Sequence, residues 1–170
     1  SKYHVCEVYS PPRVCKVAGR MKMRGGWSLD LKTHDENGEP WDFNDEECKA
    51  RVKKMIKEDQ PKFIIVSPMC SAFSQLQSLN YYKMTKEEVR EKLRHGLEHL
   101  KFAMEICEMQ WRAGRYYIFE HPWGAKSWQV PMVQRVANLE GSTISKTHMC
   151  QFDMTSEDEM GTGMVNKPTG

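Results

Sequence analysis

No C-x-x-C pair occurs in this chain, although it carries six cysteines, at positions 6, 15, 48, 70, 107 and 150. That spacing argues against a zinc ribbon. Several of the cysteines fall on predicted strands or inside predicted helices, where the residue behaves as a small hydrophobe. Reduced thiols and an intracellular location, nuclear or cytoplasmic, are therefore expected. No run of about eighteen apolar residues exists, so no membrane-spanning helix is expected, and the amino terminus reads as a strand rather than a signal peptide. Charge of one sign is scarce too. Lys and Arg number 25 against 23 Asp and Glu, a net charge of +2, which is too small to announce nucleic acid by itself. The one local excess is Arg13, Lys16, Arg20, Lys22 and Arg24, five bases with no acid among them. A solvated face is the plainer reading of that stretch and a phosphate-binding patch the sharper one. No internal repeat or low-complexity segment is present. A chain that starts Ser-Lys and stops at Lys-Pro-Thr-Gly is expected to be a piece of a longer protein.

What is present is ordinary in amount and ordered in arrangement. With 170 residues, 39% hydrophobic and 28% charged, one domain with a useful core is the default. Apolar runs read as strands at 3–9, 26–31, 62–67 and 115–120, with a last strand near 142–150. Between them lie helical patterns: a short one after Pro11 and Pro12 that stops near Gly19, one capped by Asn44 with Glu47 three residues on, and a long one opened by a Thr85/Glu88 capping box. In the long helix Val89, Leu93, Leu97, Leu100, Met104, Cys107 and Trp111 recur at three- and four-residue steps, and Gly114 supplies the stop. A further short helix spans 131–138. The continuous apolar run of Lys62–Ser67 suits a strand buried on both faces. Alternation of this kind predicts an α/β, Rossmann-like fold, a mostly parallel sheet with helices on both faces. Residues 1–152 form the α/β domain in this reading, and 153–170 are a polar loop or truncated terminal hairpin of it.

Open parallel sheets bind ligands beyond the carboxyl ends of their strands. Cys70, Glu120, Asp30 and the Ser10-Pro11-Pro12 turn all fall at that rim. Cys70 follows the strand in Ser67-Pro68-Met69-Cys70 and has Ser71, Ser74 and Gln75 beside it. A cysteine becomes a nucleophile when a cation or helix amino terminus favours its thiolate; most cytosolic cysteines are instead buried and structural. Glu120 ends the strand Tyr-Tyr-Ile-Phe-Glu, a partly desolvated setting that suits proton donation, against the plainer reading of a salt-bridged rim carboxylate. His95 and His99 stand four apart on the long helix, but without a third ligand they read as a surface pair rather than a metal site. His121 reads as a rim hydrogen-bond donor. Trp41, Trp123 and Trp128 suit stacking on a base or the adenine, with core or lid packing no weaker a reading, and the twelve methionines read as core filler.

Ser67-Pro68-Met69-Cys70 with Phe73-Ser74, followed by Glu120-His121-Pro122, resembles the Pro-Cys and Glu-Asn-Val motifs of DNA cytosine-5 methyltransferases. The nearer likeness is to a divergent phage- and transposon-encoded branch with Ser-Pro-Pro-Cys, Glu-His-Pro or Glu-Asn-Pro, and a late Cys-Gln-Tyr/Phe-Gly…Lys-Pro-Thr. The last element stands here as Cys150-Gln151-Phe152-Asp153 and Lys167-Pro168-Thr169, so the resemblance runs along nearly the whole chain. It implies a methyltransferase fold in which Cys70 attacks carbon 6 of a flipped-out cytosine, Glu120 protonates or hydrogen-bonds ring nitrogen 3, and carbon 5 takes the methyl of S-adenosylmethionine. It further implies cofactor binding by Glu7, Ser10, Pro11, Asp30, Asp42 and Pro68, with Asp30 on the ribose and Asp42 on the adenine amino group. Substrate contacts fall to Phe73, Ser74, His121 and Arg13, and the implied partner is DNA.

The chain departs from the family at three places. Tyr9-Ser10-Pro11-Pro12-Arg13 stands where the family has a glycine-rich loop, and proline removes amide donors. Met69 replaces the proline before the cysteine, and Asp153 stands for a glycine. The large target-recognition domain is missing, so a separate or downstream domain would supply it. Two readings follow. One is a cytosine-5 methyltransferase-like enzyme. The other is a catalytically degenerate module of a mobile-element polyprotein that binds nucleic acid or a protein partner. A cysteine hydrolase with His121 as base is a third.

Overall fold

The computed structural model describes residues 1–73 and 80–148, together with the strand pairings at 155–158, 161–164 and 168–169. In chain order the elements are β1 (Val5–Val8), α1 (Val14–Val17), β2 (Gly25–Leu29), α2 (Glu46–Asp59), β3 (Phe63–Val66), α3 (Lys86–Arg112), β4 (Tyr116–Phe119) and α4 (Pro131–Ala137). Short 3-10 turns lie at Ala18–Met21, Ser71–Phe73, Tyr81–Lys83 and Lys126–Gln129. Four parallel strands form one sheet in the order β2-β1-β3-β4, which makes this an α/β, Rossmann-like fold with helices around a parallel sheet. Further along, β5 (Thr147–His148) pairs antiparallel with β8 (Pro168–Thr169), and β6 (Thr155–Asp158) forms a hairpin with β7 (Gly161–Met164). Among the described residues no helix is long and apolar enough to cross a membrane.

The two faces of the sheet are covered unequally. Cys6, Val8, Ile64 and Val66 point to one face and join the main core with Val52 and Ile56 of α2 and Leu100, Phe102, Met104 and Ile106 of α3. The other face is covered by α1 over β1 and β2, and that helix is only four residues long. Phe63 and Ile65, in register with Tyr116 and Ile118, are therefore half-buried, while Tyr116 is 64% and Ile118 51% exposed. The strand at 63–66 is thus fully buried on one face and partly on the other, not on both as its continuous apolar run suggests. The run reflects a central strand whose second face has a thin cover. Central β1 is buried throughout, and β4 is half-exposed because it forms the sheet edge.

The Thr85/Glu88 capping box is present: Glu88 N donates to Thr85 Oγ1 at 3.2 Å and Thr85 N to Glu88 Oε2 at 2.7 Å. At α2 the cap is Asp45, whose carboxylate accepts from Glu47 N at 3.1 Å. Asn44, expected to cap it, instead bonds Asp42 and His99. With 27 residues, α3 spans about 40 Å, whereas a four-residue strand spans about 13 Å. The helix runs back from the rim to the start of β4, so its first half overhangs the rim. This explains why burial concentrates between Leu100 and Gln110 and leaves Leu97 37% exposed.

Candidate active site at the carboxyl rim

The order β1-β3-β4 brings the ends of three strands side by side, and two of them carry the cysteine and glutamate motifs. Val66 pairs with Phe119, and Glu120 N donates to Val66 O at 3.0 Å. Glu120 thus leaves the sheet beside Ser67, three residues before Cys70. Both Cys70 and Glu120 are half-buried, and Met69 between the strand and the thiol is 75% exposed. Burial pushes the thiols of Cys6, Cys107, Cys15 and Cys48 upward, which makes poor nucleophiles of them. Cys70 stands apart by position, on a rim loop rather than inside an element. The five described cysteines are all free.

A 3-10 turn, Ser71–Phe73, carries the chain away from Cys70, with Phe73 N donating to Cys70 O at 2.8 Å. Tyr81 Oη donates to Ala72 O at 2.5 Å. Phe73 is buried in the core and packs on α3 at Gly96, so it acts on the loop from beneath. A Cβ at Gly96 would stand 2.7 Å from Ala72 Cβ and 2.9 Å from Phe73 Cε2. Gly96→Val should therefore shift the turn that carries Cys70. The expected loss is about 1 to 3 kcal/mol, read by urea denaturation; a loss below about 0.5 kcal/mol would show that the turn yields freely. Ser74 lies outside the described residues.

The first loop is built around a buried carboxylate. Glu7, 1% exposed, accepts from Cys15 N at 2.9 Å, Arg13 N at 3.1 Å and Val14 N at 3.2 Å. Ser28 Oγ and Ser10 Oγ also donate to it, at 3.0 and 3.2 Å. Burial alone would push the Glu7 carboxyl up, but the amides of Cys15, Val14 and Arg13 outweigh it and hold the group below the usual glutamate range. Glu7 and the buried Ser10 lie beneath the loop rather than on its surface, Pro11 is half-buried, and Arg13 is exposed at the rim. Tyr9 holds a left-handed backbone, φ 61°, a conformation that costs a non-glycine residue free energy and persists only where surroundings enforce it. Its ring lies 4.8 Å from Phe43 and 6.1 Å from Phe102, centroid to centroid.

A polar chain then runs from Tyr9 to Asp42. Tyr9 Oη lies 2.9 Å from His99 Nδ1, His99 Nε2 3.0 Å from Asn44 Oδ1, and Asn44 Nδ2 2.8 Å from Asp42 Oδ1. Asn44 Nδ2 donates to a carboxylate, so its oxygen accepts, His99 carries its proton on Nε2, and Tyr9 donates to Nδ1. Burial, with Lys49 and His95 nearby, holds His99 below the ordinary histidine range and therefore neutral at pH 7. His99 is thus a half-buried part of the rim scaffold as well as the partner of exposed His95, whose ring stacks on it at 6.5 Å between centroids. Its i, i+4 partner hid this; a tyrosine and an asparagine brought in from distant segments were the missing signal. Asp30 closes β2 in a turn in which Thr33 N and Oγ1 donate to Asp30 O. Among the described residues none hydrogen-bonds its carboxylate, which is half-buried at the rim.

His121 is 1% exposed, with Nδ1 facing Ser127 Oγ and Nε2 facing Pro68 O. Pro68 is itself buried. A ring held at both nitrogens is poorly suited to deprotonating Cys70, which weakens the hydrolase reading. A cavity of about 740 Å³ runs along the outer edge of β4 and includes Glu120, Phe119 and Trp128 in its lining. It meets the rim at Glu120 and does not include Cys70, so it belongs to the sheet edge more than to the Cys70–Glu120 pair. Sequence reasoning missed Gly96, His99 and Ser127, whose parts depend on contacts across the fold. No protein-family model, no curated protein and no solved structure matches the chain.

Proposed function

We propose that the chain is a methyltransferase-like protein acting on carbon 5 of cytosine in DNA, with Cys70 as nucleophile and Glu120 as acid. One observation carries the reading: β3 and β4 are parallel neighbours, so both residues leave adjacent strands at the rim where such folds place ligands. Cys70 as thiolate would add to carbon 6 of the base. Glu120 would hold the proton at ring nitrogen 3, so that the electron pair released into the ring makes carbon 5 nucleophilic. S-adenosylmethionine, when bound, supplies the methyl group. The donor is a sulfonium with an adenosyl ribose, and the residues that would hold it are Asp30, as acceptor for the ribose hydroxyls, and Asp42, as acceptor for the adenine amino group. The first-loop amides are already taken by Glu7, so the cofactor would be held through acceptors more than through donors.

That same engagement of the loop amides favours a second reading, a catalytically degenerate module of a mobile-element polyprotein that binds nucleic acid or a protein partner. Arg13, Lys16, Arg20, Lys22 and Arg24 are all exposed, as such a surface requires. Calorimetric titration with S-adenosylmethionine and S-adenosylhomocysteine separates the two. The enzyme reading expects saturable heat with both ligands, reduced by Asp30→Asn. Absence of binding at millimolar ligand would overturn it and leave the module.

A further inference from the structure

Two prolines set the place where the β3–β4 ladder stops. Tyr116 N donates to Lys62 O at 2.8 Å and Glu120 N to Val66 O at 3.0 Å. Continued in the same register, the next two bonds would run from the amide of residue 68 to the Glu120 carbonyl, and from the amide of residue 122 to the Pro68 carbonyl. Both positions are proline, and proline has no N–H to give. At this break the His121 imidazole enters: Nε2 lies 3.1 Å from Pro68 O and Nδ1 2.5 Å from Ser127 Oγ. A carbonyl oxygen only accepts, so Nε2 carries the proton and Nδ1 accepts from the Ser127 hydroxyl. Ser127 is 0% exposed, and the Phe119 ring packs on the imidazole at 5.2 Å between centroids.

We propose that His121 is a positioning residue: its ring supplies the donor that Pro122 lacks, and so fixes the Cys70 loop against the Glu120 strand end. Pro68 stands two residues before Cys70, and His121 directly follows Glu120. One imidazole therefore couples the two motifs at the point where the backbone ladder cannot. Prolines free both chains to leave the sheet, and the side chain restores a single bond, with Ser127 holding the ring to one tautomer. The exposed Met69 side chain gives the loop little anchorage of its own, so the Pro68 contact carries the near side of the turn while Phe73 holds the far side. The assignment rests on Cys70 and Glu120 being a working pair, but its test needs neither cofactor nor nucleic acid.

The test compares His121→Gln, which sets an amide nitrogen near the place of Nε2, with His121→Asn, which sets one near Nδ1, and with His121→Ala and Ser127→Ala. Iodoacetamide labelling of each thiol is followed by peptide mass spectrometry on the folded protein. His121→Asn and His121→Ala should raise the Cys70 labelling rate about fivefold to tenfold, the scale of one lost hydrogen bond. His121→Gln should stay within about twofold of the native rate, and Ser127→Ala should fall between. Cys6 and Cys107, 0% exposed, should remain protected in all four, which separates a loosened loop from a loosened fold. Equal rates for the Gln and Asn variants would overturn the proposal, as would labelling of Cys6 and Cys107 in step with Cys70. Where His121→Ala fails to fold, the Gln and Asn pair decides. A negative cofactor titration leaves this outcome untouched, so the two readings fail separately.

Discussion

Glu7→Ala is expected to lower the free energy of unfolding by about 3 kcal/mol or more at pH 7. The carboxylate gathers three backbone amides and two hydroxyls of the first loop and β2. Alanine removes all five acceptor contacts and leaves the amides of exposed Arg13 and of half-buried Val14 and Cys15 without that partner. Unsatisfied buried donors cost about 1 to 3 kcal/mol each, reduced here because water reaches part of the loop. Relief of a buried charge works in the opposite direction. The carboxyl nevertheless sits below its ordinary range despite burial, so its bonds exceed its desolvation cost. Glu7→Gln keeps one acceptor oxygen and should lose an intermediate amount. Urea denaturation checks both, and a loss under about 1 kcal/mol for alanine would remove the carboxylate from its role as loop anchor.

The same group predicts a pH dependence with a definite sign. Its folded pKa is depressed below the ordinary 4.5, so the folded state binds this proton less readily than the unfolded chain. Its stabilisation is complete above that ordinary value and is lost as pH falls below it and through the folded value. Glu7→Gln should lose less stability over that acid window than the native protein, the remaining loss coming from Asp35, Glu46, Glu88, Glu91 and Glu108, whose carboxyls are also held low by ion pairs and caps.

Glu7 also shows what a sequence does and does not reveal. A carboxylate inside Val5-Cys6-Glu7-Val8 requires partners if the strand is central, and that much is legible. Which partners it takes is not, because the amides arrive from a loop that folds back over the strand. Strand and helix alternation was enough to place Cys70, Glu120, Asp30 and the first loop at one rim, because in a parallel sheet every strand ends on the same side. Sheet order was not legible, and with it went the exposure of Tyr116 and Ile118 on an edge strand. His121 was readable as a polar group beside Glu120. Its engagement with Pro68 depends on a register of 53 positions along the chain, which local pattern does not encode. His99 was half legible for a similar reason: helical spacing pointed to His95, which does stack on it, whereas Tyr9 and Asn44 come from other segments.

DNA containing 5-fluorocytosine, incubated with cofactor, should form a covalent adduct that Cys70→Ala abolishes. Fluorine at carbon 5 cannot leave as a proton does, so a thiolate that has added to carbon 6 stays attached after methyl transfer. An adduct that survives Cys70→Ala would take that thiol out of the nucleophile role. The competing thiols differ from Cys70 in position: Cys6 and Cys107 are fully buried with thiols pushed upward by that burial, and attack by either would require the core to open. Glu120→Gln should slow trapping about 10²- to 10⁴-fold, the range for loss of a positioned acid, while leaving the fold intact because Glu120 is a half-buried rim residue. The two variants together test the pair. If Cys70→Ala abolishes the adduct and Glu120→Gln leaves its rate unchanged, the thiol works alone and the parallel pairing of β3 and β4 has no part in activating the base. If both act, the loss in Glu120→Gln should be larger at high pH than at low pH. A protonated ring nitrogen needs no help from a side chain, whereas a neutral one needs the proton that Glu120 would hold.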